Sequence, residues 1–240
     1  MGVVTQERNL ETPDGLMRVY LARPEGGSAG PGLLVVHEVF GLTEHIEDVC
    51  RRFADEGFVT AAPDLYHRLR TKTAPYDDVP TAMGMRKRHT EAQLMEDLDI
   101  ALRFLAARGE VRSGLCGAIG FCSGGRDAFT LATRSSDVLA LVSFYGPIAA
   151  DEPEPPIARA AKLEAPSLFV FGGKDPLISA EQVERVRSSL DGLGKEFEIE
   201  VYPDAGHGFF CDARPANYNA EAATDAWSKT VDFLYRYLDF

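Results

Sequence analysis

The chain has 240 residues, 25 Lys and Arg against 37 Asp and Glu, a formal net charge of −12 and a hydrophobic fraction of 45%. That length and composition suit a globular α/β chain with a full core, and the acidic balance argues against nucleic acid or an anionic membrane surface as partner. Met1 to Leu10 holds no apolar run of the kind a secretory signal needs, Gln6 breaks the myristoylation pattern, and no apolar stretch approaches the length of a membrane span.

Leu16 to Ala22 reads as a strand, followed by a Pro/Gly-rich turn from Pro24 to Gly32 and a short buried strand, Leu33 to Val36. Thr43 is the expected N-cap of a helix on which Leu42, Ile46, Val49, Cys50, Phe53 and Ala54 recur at helical spacing, with Gly57 as its stop. Phe58 to Ala62 is a strand closed by Pro63, and Leu65 to Met85, with two prolines and mixed charge, reads as an irregular surface excursion. Leu94, Leu98, Ala101, Leu102 and Leu105 mark a helix face ending near Gly109. The strand Ser113 to Ile119 and the helix-compatible stretch Arg126 to Thr133 follow. Leu139 to Tyr145 is a strand, Asp151 to Pro156 a loop, and Ser167 to Phe171 a strand. Ser179 and Gln182 form a capping box, Phe197 to Tyr202 is the last strand, and Ala223, Trp227, Val231, Leu234 and Leu238 give a closing amphipathic helix. Strands alternating with helices predict an α/β chain, with a mostly parallel sheet and helices on both faces, in one domain over residues 1–240.

Between the strand at 113–119 and the helix that follows lies Gly120-Phe121-Cys122-Ser123-Gly124-Gly125. A strand, a glycine-bounded turn and a helix make a nucleophile elbow, G-x-S-x-G, here with the sulfur of Cys122 where a hydroxyl usually stands. Glycines flank the nucleophile because its backbone is strained and side chains two residues away would collide. The competing reading is a phosphate loop, whose outer glycines Gly120 and Gly125 satisfy. That pattern needs Lys and Ser or Thr next, and the chain supplies Arg126 and Asp127.

Catalytic groups in such sheets collect at the carboxyl ends of strands. Cys122, Asp175 in Gly172-Gly173-Lys174-Asp175, His207 in Gly206-His207-Gly208, and Glu38 in His37-Glu38-Val39-Phe40-Gly41 all occupy such positions. The chain order, nucleophile then acid then histidine, is that of the α/β-hydrolases. In these roles Cys122 attacks an acyl carbonyl, His207 handles the thiol proton and later activates water, and Asp175 fixes the imidazole. Backbone N–H groups of Val39 and Ser123 form the expected oxyanion hole. His45, His67 and His89 read as solvated, while His37 reads either as a satisfied core histidine or as a wall of the site. With no C-x-x-C pair, the cysteines read as reduced thiols of a cytoplasmic protein, Cys50 and Cys116 packing in the core.

These residues resemble the dienelactone hydrolase family of α/β-hydrolases. The likeness runs from His37-Glu38-Val39-Phe40-Gly41 through Ala62-Pro63-Asp64-Leu65-Tyr66 and the Cys122 elbow to Gly206-His207-Gly208-Phe209. It implies an α/β-hydrolase fold with a minimal cap, no metal or organic cofactor, and a Cys-His-Asp triad that opens a small lactone or ester. It also implies a carboxylate, Glu38, that helps form the thiolate, and a substrate site with Phe40 and Tyr145. The family holds the substrate carboxylate with two arginines. One is expected from Arg86 or Arg88. At the other position, shortly after His207, this chain has Cys211, which points to weaker dependence on a substrate carboxylate. The alternatives are a general esterase or thioesterase and a hydrolase-fold binding protein with little turnover. Oligomeric state is not legible, a monomer being the simpler expectation.

Overall fold

The N-terminal hairpin sets one edge of the sheet. In the computed structural model, which describes residues 2–26 and 29–238, β1 (Val3–Thr12) pairs antiparallel with β2 (Gly15–Pro24), and Thr12 faces Gly15 across the turn. The sequence reading has no counterpart for β1. Its residues are mostly solvent-exposed, so it lacks the apolar alternation that marks a strand. β2 then pairs antiparallel with β4 (Val59–Pro63), and β4 pairs parallel with β3 (Gly30–Val36). Further on, β5 (Val111–Phe121), β6 (Leu141–Phe144), β7 (Ser167–Gly172) and β8 (Phe197–Tyr202) are all parallel. The sheet is mixed and mostly parallel, as expected.

Two compact units divide the described chain: residues 2–117 with Leu238, and residues 118–237. In the first, α1 (Glu44–Asp55) lies on the face of the sheet that presents Arg18, Tyr20 and Thr60. Arg51 donates to the Tyr20 hydroxyl at 3.0 Å, and the Thr60 hydroxyl donates to the Cys50 carbonyl at 3.3 Å. The neighbouring register position, Gly32 opposite Val59, faces the other way. There Leu105 of α3 (Glu91–Ala106) closes on Gly32. Helices therefore cover both faces, and Leu33 to Val36 are fully buried between them.

In the second unit, α4 (Ser123–Ala132) packs on β6, α5 (Ala180–Gly192) carries the expected Ser179–Gln182 capping box, and a 3-10 stretch covers Pro156–Lys162. α6 (Ala220–Tyr237) is tied to β8 by Lys229–Glu200 at 2.7 Å and by an Arg236–Glu198 ion pair. Phe121, Phe144, Phe209 and Phe210 form an aromatic floor, with Trp227 of α6 stacked on Phe210 at 6.1 Å.

Three expectations are corrected. The excursion from Leu65 to Met85 contains a helix, α2 (Val79–Arg86), started by the Asp78 carboxylate accepting from Thr81 N–H at 3.1 Å and by a proline in its first turn. Thr43 occupies the N-cap of α1 but makes no capping bond, because its hydroxyl pairs with the Tyr76 hydroxyl at 2.8 Å. His45, His67 and His89 are buried rather than solvated. His67 Nε2 lies 3.3 Å from Asp97, a carboxylate that also receives Arg68, and His89 Nδ1 lies 3.0 Å from the Met85 carbonyl.

Candidate active site

The β5–α4 turn is the tightest feature of the second unit. Cys122 is the N-cap of α4 at φ 54° and ψ −121°, a region non-glycine residues rarely enter. Holding it there costs on the order of 1–3 kcal/mol. Three backbone bonds offset this: Cys122 N–H donates to the Phe144 carbonyl at 3.0 Å, and the Cys122 carbonyl accepts from Gly125 and Arg126. A side chain at Gly120 would overlap the Gly124 carbonyl, so the turn closes only with glycine there. The thiol is thereby lifted out at a helix N-terminus. There the N–H groups of Ser123 and Gly124 have no helical acceptor, and the helix dipole favours negative charge.

His207 and Asp175 reach this thiol from the ends of β8 and β7. His207 Nε2 is 3.1 Å from Cys122 Sγ, and His207 Nδ1 is 2.8 Å from Asp175 Oδ2. A carboxylate only accepts, so Nδ1 carries the hydrogen and donates. The second Asp175 oxygen accepts from Leu177 N–H at 2.8 Å, which fixes the carboxylate plane. The Asp175 side chain is fully buried and that of His207 is 10% exposed. Burial opposes a charged imidazole, but the bonds to Asp175 and to the Cys122 sulfur outweigh it and push the His207 pKa up to about 10. The surroundings therefore favour an imidazolium beside the sulfur, the arrangement that stabilises a thiolate.

Tyr145 supports the imidazole from below. Its ring centroid lies 5.1 Å from that of His207, and its backbone, at φ 38°, is the other positive-φ non-glycine position among the described residues. Arg214, which the sequence reading passed over, approaches from the opposite end of the same loop. Gly208 takes φ +75°, and a Cβ there would meet Arg214 Nη1 at 2.7 Å. The guanidinium thus folds back over the residue next to His207. Asn217 Nδ2 donates to the His207 carbonyl at 3.0 Å, and Asn217 and Tyr218 N–H groups donate to the Arg214 carbonyl, holding the loop shut. Cys211 is fully buried. The arginine sought at position 211 is absent, and three residues later another reaches the histidine's neighbour. Only the path of the loop reveals it.

The remaining expected site residues lie in the first unit. Glu38, at the end of β3, is 1% exposed, and Val39 and Phe40 are buried, Phe40 edge-on to Tyr76 at 4.8 Å. Arg86, the last residue of α2, is half-buried and near enough to His37 to help hold that histidine's pKa down, whereas Arg88 is exposed. Among the described residues, no helix is long and apolar enough to cross a membrane, and no three His, Cys, Asp or Glu side chains are grouped to hold a metal ion.

Comparison with known proteins gives one consistent picture. The model of the dienelactone hydrolase family matches residues 17–238. A provisionally named carboxymethylenebutenolidase of Methylorubrum extorquens is 36% identical over 240 residues, covering 98% of this chain and 82% of that protein. Its counterpart in Escherichia coli is 37% identical over 227 residues, covering 92% and 83%. The crystal structure of a provisionally named dienelactone hydrolase from Klebsiella pneumoniae superposes with a TM-score of 0.92 at 33% identity, covering 99% of this chain and all of that one. A dienelactone hydrolase-like phosphotriesterase from metagenomic libraries shares the fold, with a TM-score of 0.84 at 23% identity.

Proposed function

Because the chain belongs to the dienelactone hydrolase family, and is a hydrolase by that membership, we propose that it cleaves a small lactone or carboxylic ester through a covalent thioester on Cys122. The observation that carries this reading is the unbroken line from Asp175 through His207 to the Cys122 sulfur, at 2.8 and 3.1 Å. The sulfur attacks the acyl carbonyl, and the carbonyl oxygen becomes an oxyanion held at the N-terminus of α4, where Ser123 offers its N–H. On collapse the C–O bond breaks, and His207 Nε2–H gives its proton to the leaving oxygen. His207, now neutral, takes a proton from water, whose oxygen attacks the thioester. The acid product leaves and the thiolate–imidazolium pair is restored. Asp175 keeps the imidazole oriented and stabilises its positive charge throughout.

Arg214, folded over Gly208, supports a substrate bearing a carboxylate near the scissile bond, since a guanidinium pairs with a carboxylate through two parallel hydrogen bonds. Tyr145, whose ring centroid lies 5.1 Å from that of His207, lines the proposed substrate site. Arg88, being exposed, is not retained in it.

The test is a panel of lactones and esters run on the native protein, Cys122→Ala, His207→Ala and the double variant, with intact mass measured during turnover of an activated ester. The expected result is an acyl adduct on native protein and none on Cys122→Ala. Each single variant should lose several orders of magnitude in kcat, and the double variant little more, because the groups act as one unit. A His207→Ala variant that keeps most of its activity would overturn the mechanism. A native protein that binds the panel without acylation would make it a binding protein on a hydrolase fold.

A further inference from the structure

His207 has a glycine on either side, so no adjacent side chain restrains its backbone. Gly208 takes φ +75°, a region open to few other residues. The restraint comes from farther along the loop. Asn217 Nδ2 donates to the His207 carbonyl at 3.0 Å, and the Asn219 backbone N–H donates to the Phe209 carbonyl at 3.0 Å. A carbonyl only accepts, so the nitrogen of the Asn217 amide is the atom that faces His207. The two bonds straddle Gly208. The second is firmly mounted: Phe209 is fully buried between the rings of Tyr145 at 5.7 Å and Tyr202 at 5.3 Å, and Asn219 Oδ1 accepts from Ala222 N–H in the first turn of α6. The first depends on the half-buried side chain of Asn217, whose own N–H donates to the Arg214 carbonyl at 2.8 Å.

The imidazole must reach the Cys122 sulfur with Nε2, at 3.1 Å, and Asp175 with Nδ1, at 2.8 Å. These contacts lie on opposite sides of the ring, so a turn of the His207–Gly208 peptide that displaces the ring lengthens at least one of them. Asp175 and Cys122 are the ionisable groups that face the imidazole, the Tyr145 ring lies beneath it, and the Arg214 guanidinium lies beyond Gly208. We infer that Asn217 is a positioning residue for the proposed reaction: by fixing the His207 carbonyl, it sets the peptide plane from which the imidazole reaches both Cys122 and Asp175. The inference rests on the thioester mechanism proposed above and extends it to a side chain ten residues beyond the histidine.

The test asks whether loss of the Asn217 donor moves the imidazole away from the sulfur. Asn217→Leu has nearly the shape of asparagine and no donor. Asn217→Ser carries a hydroxyl too short to reach the carbonyl, and serves where leucine prevents folding. Native protein, both variants and His207→Ala are compared by kcat and KM for p-nitrophenyl acetate, by the rate at which iodoacetamide alkylates Cys122 at pH 7 and at pH 10, and by thermal midpoint. The expected kcat is lower by about 10- to 100-fold in both Asn217 variants, the order of loss that a misplaced catalytic group brings, with KM within about twofold of native. Alkylation should slow about tenfold at pH 7, where an ordinary thiol is only a few per cent thiolate. It should stay within about twofold of native at pH 10, where an ordinary thiol ionises unaided. Native-like alkylation at pH 7, whatever happens to the thermal midpoint, would reduce Asn217 to a brace of its loop and overturn the inference. An equal fall in alkylation at both pH values would overturn it too, since that is the effect of a distorted elbow. Alkylation in His207→Ala as fast at pH 7 as in native protein would instead overturn the pairing of imidazole and sulfur, and with it the mechanism on which the inference rests.

Discussion

Cys122 differs from the three other thiols in every respect that governs reactivity. Cys50, Cys116 and Cys211 are wholly buried, and burial pushes the Cys50 pKa up to about 12, so that thiol stays protonated at neutral pH. Cys122 is partly exposed, sits at a helix N-terminus and touches His207 at 3.1 Å. Limited alkylation by iodoacetamide near neutral pH, followed by peptide mapping, should therefore label Cys122 first. Labelling of Cys50 or Cys116 ahead of it would contradict the nucleophile assignment. The elevated pKa of His207 adds a thermodynamic signature. A histidine at about 10 in the folded protein and near 6.5 unfolded contributes stability that is complete below about pH 6.5, declines as pH rises, and is gone above about 10. Urea unfolding across pH 6 to 10 should thus show native protein losing its margin over His207→Gln as pH rises, and a margin independent of pH over that whole range would contradict the raised pKa of His207.

At the level of elements, the turn that holds Cys122 rests on a glycine with no room for a side chain, while α2 contains one with room to spare. Gly120→Ala forces a methyl into the Gly124 carbonyl and should destabilise by about 1–3 kcal/mol as overpacking does, with activity lost in parallel. Gly84, inside α2, has nothing within 4 Å of an added Cβ, so Gly84→Ala should stabilise by about 0.5–1 kcal/mol. Equilibrium urea denaturation of the two variants should show opposite signs. The same contrast explains what was legible in the sequence. The β5–α4 elbow, the loop acids and Gly206-His207-Gly208 announce themselves because turn chemistry is local. The Ser179–Gln182 box is legible for the same reason. β1 is not: its ten residues are mostly wet and do not alternate, leaving only Asp14-Gly15 as a hairpin signal. α2 hides behind Pro80 and Gly84, which usually interrupt helices. The burial of His67 depends on Asp97, thirty residues away, and the return of Arg214 to Gly208 depends on the fold of a whole loop. Local patterns do not encode such partners.

For the molecule as a whole, charge sets the terms on which a substrate arrives. A formal charge of −12 repels an anionic lactone at long range, and salt screens that repulsion over a Debye length of about 8–10 Å. A guanidinium paired at contact with a substrate carboxylate is screened far less. The absence of arginine at 211 argues for indifference to a substrate carboxylate, whereas the guanidinium of Arg214 over Gly208 argues for a preference that operates only at short range. The two can be separated with a carboxylate-bearing lactone and its neutral methyl ester at low and moderate ionic strength. Added salt should raise kcat/KM for the acid, by relieving long-range repulsion, and leave the ester unchanged. Arg214→Met should lower kcat/KM for the acid about 10- to 150-fold, the equivalent of about 1.5–3 kcal/mol for a hydrogen-bonded charge pair, with little effect on the ester. Arg88→Ala, at an exposed position, should alter neither. If the ester is the better substrate and Arg214→Met leaves both rates unchanged, the protein is an esterase of neutral substrates and the arginine only braces its loop.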